Sequence, residues 1–90
     1  MIDYIEADIE GYAVKKAAKL GWFTRKLSWI GCDGAPDRLF AHDGQIVFIE
    51  FKSPTGELSD SQMWEHRELA KQGVVVHVID SIEGVDALIK

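Results

Sequence analysis

The chain has 90 residues, 47% of them apolar, one Cys and a formal net charge of −5. That is the composition of a globular chain, read as one domain over 1–90, whose single core must serve with ~60–65% of the unfolded surface buried. A lone Cys32 excludes an intrachain disulfide or a Cys-built zinc site. No apolar run approaches the ~20 residues that span a bilayer, and Asp3, Glu6, Asp8 and Glu10 do not suit a signal peptide. The expectation is a cytoplasmic protein without membrane contact.

In chain order, Ile2, Ile5, Ile9, Tyr12, Ala13 and Leu20 recur at three- and four-residue steps. They predict a helix over 3–20, closed by Gly21. Lys16 falls beside that stripe and requires a snorkelling stem there. Residues 22–29, Trp-Phe-Thr-Arg-Lys-Leu-Ser-Trp, are aromatic-rich and partly alternating and read as a strand. Residues 31–34 are a turn. Pro36 to Ala41 and Ile46 to Lys52 are two further strands, joined by Asp43-Gly44, a strong hairpin signal. After a loop over 53–58, Ser59 and Gln62 fit a capping box, with Leu58 and Met63 as its hydrophobic staple. That helix runs to about Gln72 and stops at Gly73. Val74 to Ile79 is expected as a buried strand, and Ser81 caps a short helix through Leu88. A strand–helix–strand unit implies a parallel pair. The fold class is therefore α/β, with a mixed sheet flanked by helices.

The hairpin fixes a register. With Asp43-Gly44 as a two-residue loop, paired positions sum to 87, so Ala41 opposes Ile46, Leu39 opposes Phe48 and Asp37 opposes Glu50. Lys52 is two residues past Glu50 and shares its face. Two facing carboxylates repel unless one is protonated, a Lys neutralises them or a divalent cation lies between them. A Lys52-bridged surface cluster and a hard-metal site both satisfy the pattern. In the second, Phe51 can add its backbone carbonyl. A hard cation acidifies the water it holds, and Lys52 can orient that water or face developing negative charge. Such a set is suited to phosphodiester hydrolysis.

Pro36-Asp37 followed by Glu50-Phe51-Lys52 resembles the PD-(D/E)XK nuclease signature. The longer string is more specific. It comprises Gly34-Ala-Pro-Asp-Arg-Leu39, Ile49-Glu-Phe-Lys-Ser-Pro-Thr-Gly56, Leu58-Ser59 with Gln62, and Gly73 before the Val-rich strand. It is similar to the VRR-Nuc family in its stand-alone, virus-type form, over about Glu6 to Leu88. The resemblance implies a restriction-endonuclease-like α-β-β-β-α-β core with a short C-terminal helix. It implies that Asp37 and Glu50 ligate Mg2+ or Mn2+, that Lys52 assists the nucleophile, and that Gln62 lies near the site, although the capping box accounts for Gln62 equally well. A first-helix Glu is also implied, with Glu6 and Glu10 as candidates. Glu6 is about 50–60° from the centre of the apolar stripe and Glu10 about 90–100°, which favours Glu6. A helix N-terminal acid stabilised by the dipole is the alternative for both.

Charge is uneven. Residues 11–40 hold six basic side chains, Lys15, Lys16, Lys19, Arg25, Lys26 and Arg38, against two acidic ones, while the remainder has a deficit of nine. Solvated faces and a basic DNA-binding track both fit this pattern; the resemblance adds weight to the track and to a phosphate contact at Arg38. Relatives often carry basic residues before the Gly-x-Pro-Asp string, where this chain has Cys32-Asp33. His42, His66 and His77 show no metal-ligand spacing and are expected in solvated or core roles. The resemblance implies a metal-dependent, structure-selective endodeoxyribonuclease, in particular a Holliday-junction resolvase acting as a homodimer, encoded by a virus or mobile element. A nickase or flap nuclease, and a catalytically silent DNA- or protein-binding module on the same fold, are the alternatives.

Overall fold

The computed structural model describes residues 4–90. Its elements run α1 (Glu6–Leu20), β1 (Phe23–Lys26), β2 (Arg38–His42), β3 (Gln45–Phe51), α2 (Asp60–Lys71), β4 (Val76–Ile79) and α3 (Ile82–Leu88). The four strands form one sheet in sequence order. β1–β2 and β2–β3 are antiparallel and β3–β4 is parallel, as the α2 crossover requires. This is the expected mixed-sheet α/β fold.

The β2–β3 hairpin has the expected register, from His42 opposite Gln45 to Arg38 opposite Ile49. Asp43 and Gly44 at its tip both have positive φ, the geometry of a type I′ turn, which Asp-Gly adopts readily. Its odd-numbered β3 residues Val47, Ile49 and Phe51 are buried with Phe40, Ile79, Val85 and Ile89. α1 contributes Ile9, Ala13 and Ala17 to the same core, spaced one turn apart. The two alanines let the helix backbone lie close to the strands.

Several expectations are corrected. The predicted first helix began at residue 3; its described part begins at Glu6, and Ile2 and Asp3 lie outside the described residues. Ile5 and Leu20 are exposed, so the stripe narrows to Ile9, Ala13 and Ala17. The second element is a strand for Phe23–Lys26 only, with Trp22 buried just before it and stacked on the His42 ring. The last strand is not a buried run. β4 starts at Val76 and forms one edge of the sheet, so Val75 and Val78 remain exposed and Ile79 alone is buried.

Both short-range caps in the second half form. Ser59 Oγ accepts from the Gln62 amide at 3.2 Å while Gln62 Oε1 accepts from the Ser59 amide at 2.9 Å. Ser81 Oγ accepts from the Gly84 amide at 2.9 Å. Met63, by contrast, is exposed rather than stapled inward. The loop before β2 runs against the first turn of α2. A Cβ on Gly34 would stand 2.3 Å from the Ser61 carbonyl oxygen, and its φ of +95° also favours glycine.

Candidate functional site

Asp37 stands one residue before β2 and therefore outside the ladder in which it was expected to oppose Glu50. Its position is fixed by other bonds. Its carbonyl accepts from the Leu27 amide at 2.9 Å and its Oδ2 from the Phe51 amide at 2.7 Å. The second bond ties the carboxylate to the last residue of β3, so the juxtaposition with Glu50 survives the loss of strand pairing. Glu6, in the first turn of α1, closes the group. Glu6, Asp37 and Glu50 each present an oxygen within 4.8 Å of the others.

Glu50 is 1% exposed. Gln62 Nε2 donates to its Oε2 at 2.9 Å, and the Lys52 ammonium lies 3.9 Å from the same oxygen. Its other oxygen, Oε1, is buried without a hydrogen-bond partner among the described residues. Burial pushes the Glu50 carboxyl up to about 8; the Asp37 charge acts in the same direction, Lys52 opposes and Glu6 adds. A buried acid that burial and like charge both hold protonated is stabilised in its ionised form by a cation. Three hard oxygen donors and one orphaned carboxylate oxygen fit Mg2+ or Mn2+. The Phe51 carbonyl follows directly on Glu50 in the chain.

The structure separates the two first-helix acids. Glu6 joins the carboxylate group, whereas Glu10 binds Arg38 Nε at 2.7 Å and Lys26 Nζ at 3.3 Å. Alternation along β2 explains this: Arg38 shares the face of Phe40, which packs toward α1, and Lys26 pairs with Arg38 across the β1–β2 ladder. Gln62, for which capping and a place near the site were alternatives, does both. Its oxygen closes the capping box, which turns its NH2 toward Glu50.

The expected basic track is divided. Lys16 pairs with Asp86 of α3 at 2.7 Å, where Tyr12 also donates at 2.6 Å. Arg25 stacks over the Phe23 ring, 4.1 Å from its centroid, and donates to the Thr24 carbonyl. Arg38 Nε is committed to Glu10. Lys15 and Lys19 are exposed on α1. His42 has the structural role expected of it, bonded at 3.2 Å to the Gly21 carbonyl oxygen. His66, on α2 one turn beyond Gln62, has a side chain 13% exposed, with its Nε2 3.9 Å from Glu50 Oε1. Burial lowers its pKa; Asp37 opposes this, Lys52 adds to it and Glu65 opposes it. The four-residue spacing places Gln62 and His66 on one face of α2.

No family model matches the chain. A protein of Acyrthosiphon pisum secondary endosymbiont phage 1, named "Putative nuclease p44", is 38% identical over 77 residues, which cover 84% of this chain and 83% of that protein. A solved structure described as a VRR_NUC domain superposes with a TM-score of 0.83 at 37% identity, covering 93% of this chain and 92% of that one. The chain belongs to the VRR-Nuc nuclease family. In VRR-Nuc terms the four-stranded mixed sheet and its three helices are the family fold, and the carboxylate group lies where α1, the loop before β2 and the end of β3 meet.

Proposed function

We propose that this VRR-Nuc protein is a divalent-metal-dependent, structure-selective endodeoxyribonuclease that cuts four-way DNA junctions as a homodimer. The observation that carries the chemistry is the convergence of Glu6, Asp37 and Glu50 within 4.8 Å, with Lys52 beside them. A bound Mg2+ or Mn2+ supplies charge neutralisation at the scissile phosphate and a more acidic water. The three carboxylates would hold that ion, with the Phe51 carbonyl as a further donor. Gln62 fixes the plane of Glu50. Lys52, 15% exposed, faces the nucleophile or the charge that develops on phosphate. A binding module without chemistry has no use for three converging carboxylates, which repel phosphate unless a cation is present.

The junction and the dimer rest on the resemblance to stand-alone family members and on geometry. Two symmetric cuts require two sites, which a two-fold dimer supplies. Exposed Ile46, Val75 and Val78 leave apolar surface near the β4 edge for a second copy. Of the expected basic track, Lys15 and Lys19 are exposed on α1 and can meet phosphate.

The test is cleavage of a labelled four-way junction and a matched linear duplex in Mn2+, Mg2+ or EDTA, by wild type and Asp37→Asn. Symmetric, metal-dependent junction cuts that the substitution abolishes are expected. Equal cutting of the duplex overturns the structure selectivity, and an Asp37→Asn protein that cuts at the wild-type rate overturns the site.

A further inference from the structure

A cleft of about 340 Å3 is lined by Tyr4 and Ile5 from one segment and by Ser53, Pro54 and Thr55 from another. Each segment runs directly into the carboxylate group. Ile5 precedes Glu6 and Ser53 follows Lys52, and consecutive Cα atoms are only ~3.8 Å apart. Both segments are held in place. The Ile5 amide donates to Asp8 Oδ2 at 3.2 Å and the Ile5 carbonyl accepts from the Asp8 amide at 3.1 Å. Across the cleft, the Gly56 amide donates to the Ser53 carbonyl at 3.0 Å and closes a turn over Pro54 and Thr55. Two large apolar side chains nevertheless stand open here, Tyr4 at 39% and Ile5 at 61% exposure. Ile5 also occupies the N-cap of α1, a position where Ser, Thr, Asp and Asn are strongly preferred. Neither core packing nor helix capping accounts for this pair, and local rules of this kind are broken chiefly at functional sites.

Size and surface decide what fits. The volume is near the lower end of small-molecule sites, ~300–1,000 Å3, and suits one planar ring system. The Tyr4 and Pro54 rings offer it apolar surface, and Ser53 and Thr55 add hydroxyls that can donate or accept. We propose that the cleft takes one unstacked nucleobase from a nucleotide flanking the scissile phosphate, with Tyr4 as its stacking platform. The inference rests on the nuclease reading above and deepens it by naming the substrate feature the site reads, a base already unpaired or easily unpaired at the cut. Stacking on an aromatic face tolerates any base, so the cleft selects structure rather than sequence. In a continuous duplex the base must first leave its stack, at a cost that is least where pairing is already weakened.

The test compares wild type, Tyr4→Phe and Tyr4→Leu in Mn2+ on a four-way junction whose base pair at the mapped cut is matched or mismatched. Tyr4→Phe is expected to retain kcat/KM, because stacking needs the ring and not the hydroxyl. Tyr4→Leu is expected to lower it by about five- to 150-fold, the span of one base–aromatic stack. The mismatch is expected to speed wild type by about tenfold and Tyr4→Leu by less than about twofold. A merely structural Tyr4 slows both substrates alike and leaves the mismatch ratio unchanged, which overturns the proposal. Independently, 5-iodouracil at the nucleotides flanking the cut is expected to photocross-link to Tyr4 of the wild-type protein. Adducts confined to other residues overturn the assignment without reference to any variant. A change in sedimentation of Tyr4→Leu with an unchanged mismatch ratio gives the cleft to a second copy of the chain and also overturns it. In all these cases metal-dependent cleavage by wild type survives. A wild-type protein that cuts neither junction in Mn2+ overturns the nuclease reading together with this inference.

Discussion

Replacing Glu50 by Gln tests the electrostatics of the site without touching DNA. Glu50 is nearly inaccessible, and burial, followed by Asp37, raises its carboxyl to about 8 from an ordinary 4.5. At pH 7 most folded molecules therefore hold this proton, while the unfolded chain has released it. The folded state binds the extra proton between the two values, so stability is greatest below the ordinary pKa. It falls as pH rises toward about 8, by at most about 1.4 kcal/mol per pH unit. Over two units that is on the order of 2–3 kcal/mol, enough to lower the Tm of a chain this size by about 10 °C or more. Gln is nearly isosteric, has no titration, and still offers Gln62 an acceptor. In EDTA, melts at pH 5.5, 6.5 and 7.5 are expected to show a steeper decline for wild type than for Glu50→Gln, with the variant the more stable at pH 7.5. Adding Mn2+ is expected to rescue wild type most at the highest pH, where the displaced proton costs least, and to leave the variant unmoved. Parallel pH profiles for the two proteins in EDTA refute the reasoning, since the titrating group would then lie elsewhere.

Glu6→Gln is expected to abolish metal-dependent cleavage with little change in Tm. Glu10→Gln is expected to retain cleavage and lose stability through Arg38, and a cleavage assay beside a melt decides between them. Gly34→Ala forces a methyl to within 2.3 Å of the Ser61 carbonyl oxygen, so a loss of several kcal/mol is expected in urea titrations, larger than the ~1 kcal/mol typical of point substitutions. Gln62→Glu keeps the acceptor for the Ser59 amide but sets a carboxylate against Glu50; retained α2 helicity by circular dichroism with a further rise in the Glu50 pKa is expected, whereas Gln62→Ala loses the box as well, about 1 kcal/mol.

The parts of the fold that were legible in the sequence are those set by local chemistry. Asp43-Gly44 fixed the register of five residue pairs, Gly21 ended α1 in the left-handed region, and Ser59 and Ser81 capped their helices. Asp37 and Glu50 were paired by extending that register, and they do converge, but through the Phe51 amide rather than a ladder rung. Features set by distant partners were not legible. The reason for Lys16 is Asp86, seventy residues away, and Arg38 answers to Glu10 on another element. Val74 to Ile79 looks buried because it is apolar, yet a strand at a sheet edge leaves half of its surface open.

The Gln62 amide belongs to two structures at once. Its oxygen ends a helix, and its nitrogen holds the plane of Glu50. Fraying of the first turn of α2 therefore withdraws a donor from Glu50, the most buried acid among the described residues. A chain caught with that turn unwound, on its way to the folded state or transiently out of it, keeps its carboxylates but loses the donor that orients one of them. Order at one helix end is thus written into the orientation of a side chain on another element.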